Sequence, residues 1–126
     1  MTTARDHLPL TPLSFQILVA LADAPRHGYG ILKEIEGSSS EPFRSSTGTL
    51  YLAIQRLEEQ GLIEKDRARP GSDSRRRYYR LTELGREVAI AETRRLATLV
   101  SVVRSKGLLG EGPHEGLPKA VTERGS

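Results

Sequence analysis

The first half of the chain carries two stretches in which apolar residues recur at helical spacing. Thr11-Pro12 supplies a capping hydroxyl followed by proline at the first helical position, which predicts that a helix begins there. A second short helix is predicted to begin near Gly28, with Ile31 and Ile35 on one face. Gly37 and the serines after it favour the end of this helix.

A third helix is predicted from Thr47 to Gln60. Its apolar stripe is Leu50, Ile54 and Leu57, whose spacing places them on one side, toward a core. Ser46 has the chemistry of a helix cap at the start. The third helix is therefore expected to bury one face and leave the opposite face to solvent.

A β-hairpin is predicted after the third helix. Residues 62–66 form a plausible strand, a turn-rich stretch follows at 69–73, and residues 75–81 return as the second strand. Side chains alternate along a strand, so Tyr79 and Leu81 are assigned to the core. The tip of the hairpin is basic.

A long final helix is predicted from Glu83 to Lys106, capped by Thr82 and stopped by Gly107. At about 100° per residue, its apolar direction rotates by about 60–120° halfway along. We expect the first half to cover its own domain and the second half to meet a partner chain. The alternative is that the second half only extends the protomer's own core. The predicted dimer interface combines the first and last helices: Leu13, Ile17, Leu21, Leu96, Leu99, Val100 and Val103.

The order helix, helix, helix, hairpin, long helix predicts an α+β, mostly helical fold. Its layout is that of a winged helix-turn-helix with a two-stranded wing and a long C-terminal dimerisation helix. We predict an N-terminal arm at 1–9, a DNA-binding domain at 10–82, the dimerisation helix at 83–107 and a flexible tail at 108–126.

The composition of the chain excludes or disfavours several classes of function. The 126 residues suffice for one domain, and the absence of cysteine rules out disulfides and thiolate metal sites. The three histidines have no ligand-like spacing, and there is no Gly-rich phosphate loop, so neither an enzyme, a metal nor a cofactor is expected. No apolar run approaches the roughly 20 residues of a membrane span. We expect a cytoplasmic protein that does not contact membranes.

Charge is concentrated in one window. Residues 65–86 contain eight basic and three acidic residues, a net charge of +5, whereas the whole chain carries +3. Such local basicity is typical of a surface that binds a polyanion. Charges on an edge strand can also prevent sheet-to-sheet aggregation, but three consecutive arginines exceed that need.

The exposed face of the third helix and the hairpin tip are therefore the candidate DNA-contacting surface. Helix N-termini and hydroxyls suit phosphates, while Gln55 and Arg56 have the chemistry for adenine and guanine edges. The alternative is that Gln55 and Arg56 simply belong to the exposed face of an amphipathic helix. The predicted DNA-binding residues are Ser46, Thr47, Gly48, Thr49, Tyr51, Leu52, Gln55, Arg56, Arg75, Arg76 and Arg77.

Four stretches together resemble the PadR family of transcriptional regulators, in its compact form with a single C-terminal helix. They are LTPLSFQILVAL (10–21), HGYGILKEI (27–35), GTLYLAIQRLEEQGLIE (48–64) and RRRYYRLTELG (75–85). The resemblance implies a winged-helix homodimer that binds palindromic operator DNA, usually as a repressor. In some members a small ligand releases the DNA, so an effector of unknown identity is a further expected partner.

The resemblance also assigns roles to residues. Gly48 to Tyr51 opens the recognition helix, with Tyr51 at the edge of its buried face, and Tyr79 and Gly85 brace the wing and the start of the long helix. At the position that follows the Leu50-Tyr51 pair, many relatives have proline, whereas this chain has Leu52. We assign Phe15 and Tyr29 to the core. The alternative function is a winged-helix adaptor that binds proteins and no DNA.

Overall fold

The computed structural model describes residues 3–38, 46–67 and 77–110. The chain divides into two compact units after Glu92. The elements follow in the order α1 (Pro12–Ala20), β1 (Arg26–His27), α2 (Gly28–Ser38), α3 (Thr47–Glu59), β2 (Ile63–Lys65), β3 (Tyr78–Leu81) and α4 (Glu83–Ser105), after a short 3-10 helix at Ala4–His7.

Helix α1 begins as its sequence predicts. The Thr11 hydroxyl accepts the Ser14 amide at 3.1 Å, and Pro12 occupies the first helical position, where no amide hydrogen is needed. Ile17 and Leu18 are fully buried. Both therefore belong to the core of the first unit.

That core is made mainly of aliphatic side chains from α1, α2, α3, the sheet and the first turns of α4. Its members are Ile17, Leu18, Ala20, Leu21, Ile31, Ile35, Leu50, Ile54, Leu57, Leu62, Ile63, Tyr79 and Val88. Part of the N-terminal arm joins them, because Ala4 and Leu8 pack against this cluster. Leu50, Ile54 and Leu57 are each at most 1% exposed, which confirms the predicted stripe of α3.

The sheet has three antiparallel strands in the order β1-β3-β2, one more than predicted. Ile63 pairs with Leu81 and Lys65 with Tyr79, as expected for the hairpin. The additional strand β1 pairs Arg26 with Tyr79. Because β1 has only two residues, it is too short for an alternation of polar and apolar positions that would predict a strand.

Arginine 26 ties the segment before α2 to both neighbouring helices. Its Nε donates to the Ala20 carbonyl at 2.8 Å, while its terminal nitrogen pairs with Asp23 at 3.2 Å and Glu34 at 3.3 Å. Since its side chain is only 24% exposed, these partners compensate for lost hydration. The strand β1 is thereby held against the end of α1.

A glycine allows α4 to cross closely over the hairpin. The Thr82 hydroxyl donates to the Gly61 carbonyl at 2.6 Å and accepts the Gly85 amide at 2.9 Å, so it caps α4 as predicted. The Thr82 amide also donates to the Leu62 carbonyl at 3.1 Å. A Cβ on Gly85 would overlap that same carbonyl oxygen. Close packing here is possible only without a side chain.

Within the first unit, α4 buries Gly85, Val88 and Glu92. The Glu92 carboxylate is 1% exposed and accepts the Leu10 amide at 3.3 Å. Sequence spacing gave no indication of this buried acid. In the second unit α4 continues to its last residue, Ser105. Gly107 follows with a φ of 80° and forms the expected left-handed stop. The predicted tail beyond Gly110 lies outside the described residues.

This arrangement of α2, α3 and the β2-β3 hairpin is a winged helix-turn-helix, an α+β fold, as the sequence predicted.

Candidate nucleic-acid interface

The N-terminus of α3 is capped and exposed. The Ser46 hydroxyl accepts the Thr49 amide at 3.1 Å and lies 3.0 Å from the Thr49 hydroxyl. The first intrahelical bond runs from the Leu50 amide to the Ser46 carbonyl at 3.0 Å. The Thr47 and Gly48 amides precede it, in the position where helix N-termini bind anions.

Replacing Ser46 with alanine should therefore destabilise α3. The Thr49 amide would lose its side-chain acceptor, and removal of such a cap typically costs about 1 kcal/mol of the free energy of unfolding. Urea denaturation of Ser46→Ala should show this loss. The control Ser105→Ala, at the exposed last residue of α4, should change stability little. Equal stability of Ser46→Ala and the wild type would show that the cap is not needed.

The outward face of α3 comprises its predicted DNA-contacting side chains. Thr49, Leu52, Gln55 and Arg56 are all exposed, and Thr47 and Gly48 lie exposed beside them. Leu52 retains 49% of its surface. This face thus offers hydroxyl, amide, guanidinium and one apolar group.

Tyr51 lies at the side of this face and has a structural contact as well. It is 45% exposed, and its ring lies against Gly28 at the start of α2, where an added Cβ would overlap the phenol. The glycine therefore lets the α2 N-terminus approach α3 closely. The contact places Tyr51 at the junction of the two helices, as the predicted edge position implied.

The base of the wing packs against α3 and uses part of its charge internally. Lys65 of β2 pairs with Glu58 of α3 at 3.6 Å, and Arg80 pairs with Glu64 across the hairpin at 2.9 Å. The hairpin base is thus joined to the helix whose outward face is exposed. Arg75 and Arg76, with the rest of the predicted tip at 68–76, lie outside the described residues.

Arg77 is the described member of the arginine triplet, and it is exposed. Its guanidinium hydrogen-bonds the side chain of Tyr79. Burial and, secondarily, the Glu58 carboxylate raise the pKa of Tyr79, while Arg77 partly opposes them. Tyr79 therefore stays a neutral phenol that anchors the strand from which Arg77 projects.

Tyr29 does not belong to the core, contrary to the prediction. It is 59% exposed, its ring stacks on His27 with centroids 6.4 Å apart, and the Lys33 ammonium lies 5.7 Å from its centroid. The physical reason is its direction on α2. At about 100° per residue Tyr29 points away from Ile31 and Ile35, a signal present in the sequence. Phe15 is half-buried rather than fully enclosed.

The residues predicted for a dimer interface fall into two groups. Ile17 and Leu21 are 0% and 3% exposed within the chain itself, so they offer no surface to a second copy, and that part of the prediction is corrected. Leu13 is half-buried. In the second unit Leu99 is 50% and Val100 41% exposed.

Leu96 and Val103 of the second unit are half-buried. With Leu99 and Val100 they form a partly exposed apolar stripe on α4. We refer to these four residues as the α4 stripe.

A groove of about 400 Å³ runs between α1 and α2 in the first unit. Its lining is mostly apolar and includes Phe15 and Val19, with Glu34 as its carboxylate. Val19 keeps 49% of its surface. The exposed side of α1 is therefore Phe15 and Val19 rather than the predicted Ile17 and Leu21.

The described part of the chain offers neither a metal site nor a membrane-spanning helix. No group of three or more histidine or acidic residues there could hold a metal ion. No helix among the described residues has the length and apolar character to span a bilayer.

The family profile described as "Transcriptional regulator PadR-like family" matches residues 17–91. The transcriptional regulator Rv3488 of Mycobacterium tuberculosis is 39% identical over 79 residues, which cover 63% of this chain and 69% of that protein. An uncharacterized protein X of Lysinibacillus sphaericus is 36% identical over 70 residues, covering 56% of this chain and 64% of that protein. A 37.1 kDa protein of a Streptomyces fradiae transposon is matched over 22% of its length.

Solved structures agree with the fold. A PadR family transcription regulator from Clostridium difficile has a TM-score of 0.65 and 26% sequence identity, and the match covers 75% of this chain and 97% of that one. The predicted family is thus confirmed, and its members are transcriptional regulators rather than enzymes. This chain, with its winged helix-turn-helix and its profile match over residues 17–91, belongs to the PadR-like family of transcriptional regulators.

Proposed function

We propose that the protein is a homodimeric, sequence-specific DNA-binding repressor whose α3 and wing contact palindromic operator DNA. The observation that carries the proposal is the outward face of α3. A capped helix N-terminus, Gln55 and Arg56 stand exposed on the side opposite Leu50, Ile54 and Leu57. In a helix-turn-helix this second helix enters the major groove.

The charges around this face support the proposal. Within residues 46–67 and 77–110, Arg80 and Lys65 are paired with acids, whereas Arg56, Arg67 and Arg77 form no ion pair. Exposed guanidinium groups without a carboxylate partner can bind phosphate oxygens, and the single hydrogen bond of Arg77 to Tyr79 leaves its other donors for such a contact. Arg56 lies on α3 and Arg77 on the approach to β3, so the cations flank both parts of the proposed surface.

The α4 stripe supports the dimer. Leu99 and Val100 remain exposed in the single chain, and burial of such side chains gives about 25 cal/mol per Å² of apolar surface. The groove between α1 and α2, lined by Phe15 and Val19, is a mostly apolar surface on which the stripe of a second copy could pack. A two-fold pair would place two α3 helices about one DNA turn apart, which is why we propose a palindromic operator.

Repression and release by a small effector are the finer parts of the proposal. They rest on the family resemblance, since repression is usual there and ligand release occurs in some members. In vitro transcription from the chain's own upstream promoter should fall as the protein is added. A rise in transcript would identify an activator instead.

DNA binding is tested directly by fluorescence anisotropy on the upstream DNA of the chain's own gene. We expect saturable binding that exceeds binding to a scrambled duplex and weakens steeply between about 50 and 200 mM salt, since counterions are released. Absence of any salt-sensitive, sequence-selective binding would contradict the proposal and favour a protein-binding adaptor.

Replacing Leu99 with aspartate should produce monomers. A buried, unpaired carboxylate would oppose burial of the α4 stripe, and loss of the second half-site should weaken operator binding by about 100-fold or more. Sedimentation velocity measures the mass, and anisotropy the affinity. Leu108→Asp is the matched control, because Leu108 is 77% exposed beyond the end of α4. A dimeric Leu99→Asp protein would refute the proposed interface.

A further inference from the structure

Leu52 occupies the most outward position of α3. The core-facing residues Leu50, Ile54 and Leu57 are at most 1% exposed, and at about 100° per residue Leu52 points about half a turn away from their mean direction. It keeps 49% of its surface exposed. Among the described residues, Leu52 belongs neither to the core cluster nor to the partly buried apolar residues that pack against it.

Its immediate neighbours on the helix are polar. Thr49 and Gln55 lie three residues before and after it, and Arg56 lies four residues after it, so all three adjoin Leu52 on the surface of α3. All three are exposed. Leu52 is therefore an isolated apolar group surrounded by hydrogen-bonding groups.

Gly48 is the second unusual residue on the same side of α3, four residues before Leu52. A Cβ there would have only the Ser46 hydroxyl within 4 Å, at 3.9 Å, whereas Cβ atoms on Gly28 and Gly85 would overlap Tyr51 and Leu62. The packing of the residues that the structure describes thus explains glycine at 28 and 85 but gives no reason for it at 48. Glycine in a helix is unfavourable relative to alanine, and an external surface that must come close to the start of α3 is a physical reason to keep it there.

We infer that Leu52 contacts the C5-methyl group of a thymine in the major groove, and that Gly48 lets the start of α3 approach the duplex closely enough for this contact. Base edges in the major groove present hydrogen-bond donors and acceptors, and the thymine methyl is their one apolar group. An aliphatic side chain centred among Thr49, Gln55 and Arg56 fits that pattern. The inference rests on the proposed DNA-binding function, because it specifies which base the same surface reads.

The contact is tested by removing a single methyl group from the DNA. Duplexes bound by the wild-type protein are first selected from a random pool, and each thymine of the selected half-site is then replaced in turn by deoxyuridine. At one thymine per half-site we expect the affinity of the wild type to fall about fourfold, the effect of one buried methyl group. Leu52→Ala should bind the thymine and deoxyuridine duplexes equally well.

The outcomes separate failure of this inference from failure of the proposed function. Selective binding by the wild type with no thymine sensitive to methyl removal would overturn the inference and leave the DNA-binding function standing. The same deoxyuridine sensitivity in Leu52→Ala would assign the methyl contact to another residue and also overturn it. A pool that enriches no sequence would overturn both. Leu108→Ala is the matched control, because Leu108 is 77% exposed and lies beyond the end of α4, and it should keep the wild-type pattern.

Gly48→Ala tests the close approach with two readouts of opposite sign. The new methyl group meets open space in the free protein, so the melting temperature should stay the same or rise. The affinity for the selected duplex should fall about tenfold, because the methyl group separates the surfaces. Wild-type affinity in Gly48→Ala would overturn the role of Gly48, whereas a lower melting temperature would show that Gly48 serves the fold itself.

Discussion

Replacing Arg75, Arg76 and Arg77 with alanine should weaken DNA binding by about 10-fold or more at moderate salt, because each exposed ion pair with a phosphate is worth about 0.2–1 kcal/mol and a dimer would lose six. The loss should be similar for operator and unrelated sequences, since phosphate contacts carry no sequence information. The slope of log affinity against log salt concentration should become shallower by about 0.9 per phosphate contact removed. Anisotropy titrations at several salt concentrations measure both quantities.

A control variant must separate a local contact from the effect of net charge. Arg5→Ala, Arg104→Ala and Lys106→Ala together remove the same three charges from exposed positions outside the wing. We expect this triple variant to keep most of the wild-type salt slope. Equal reductions in the two triple variants would mean that the wing makes no specific phosphate contact. Both proteins should sediment as the wild type does.

Gly85→Ala should have the largest effect on stability, with a loss of about 3 kcal/mol or more in the free energy of unfolding. The new Cβ would overlap the Leu62 carbonyl oxygen, which cannot move away without losing its hydrogen bond from the Thr82 amide. This overlap could be removed only if α4 moved away from the hairpin, which would expose Val88. Urea denaturation measures the loss, and a marginally stable domain would lose a large part of its total.

Gly37→Ala is the matched control for that substitution. Gly37 also lies in a helix, but no atom of the described residues stands within 4 Å of the position its Cβ would take. It should therefore stabilise the protein by up to about 1 kcal/mol. A Gly85→Ala protein as stable as Gly37→Ala would show that α4 does not cross Leu62 as closely as described.

Several features could be predicted from the sequence because they depend on a few adjacent residues. The caps Thr11, Ser46 and Thr82 each act within about one helical turn, and the glycine stop at Gly107 needs only a left-handed backbone. The outward face of α3 followed from the buried stripe on its other side. Local chemistry and periodicity therefore sufficed for the winged helix-turn-helix and the exposed face of its third helix.

Features that depend on tertiary packing could not be predicted in this way. Apolar residues lie nearly all around α1, so the sequence did not tell which side faces the core, and Ile17 and Leu21 were assigned to a partner surface instead. The strand β1 exists because β3 has a free edge beside it, and the buried Glu92 accepts a hydrogen bond from Leu10, 82 residues away. Such relations are decided by distant parts of the chain.

The central claim is that the outward face of α3 and the adjoining wing bind duplex DNA as one surface. Amide NMR of the isotopically labelled protein, titrated with its selected duplex, tests this most directly. We expect the largest shift changes in residues 46–56, 63–67 and 77–81. Shift changes confined to the groove between α1 and α2, with α3 and the hairpin unaffected, would contradict it.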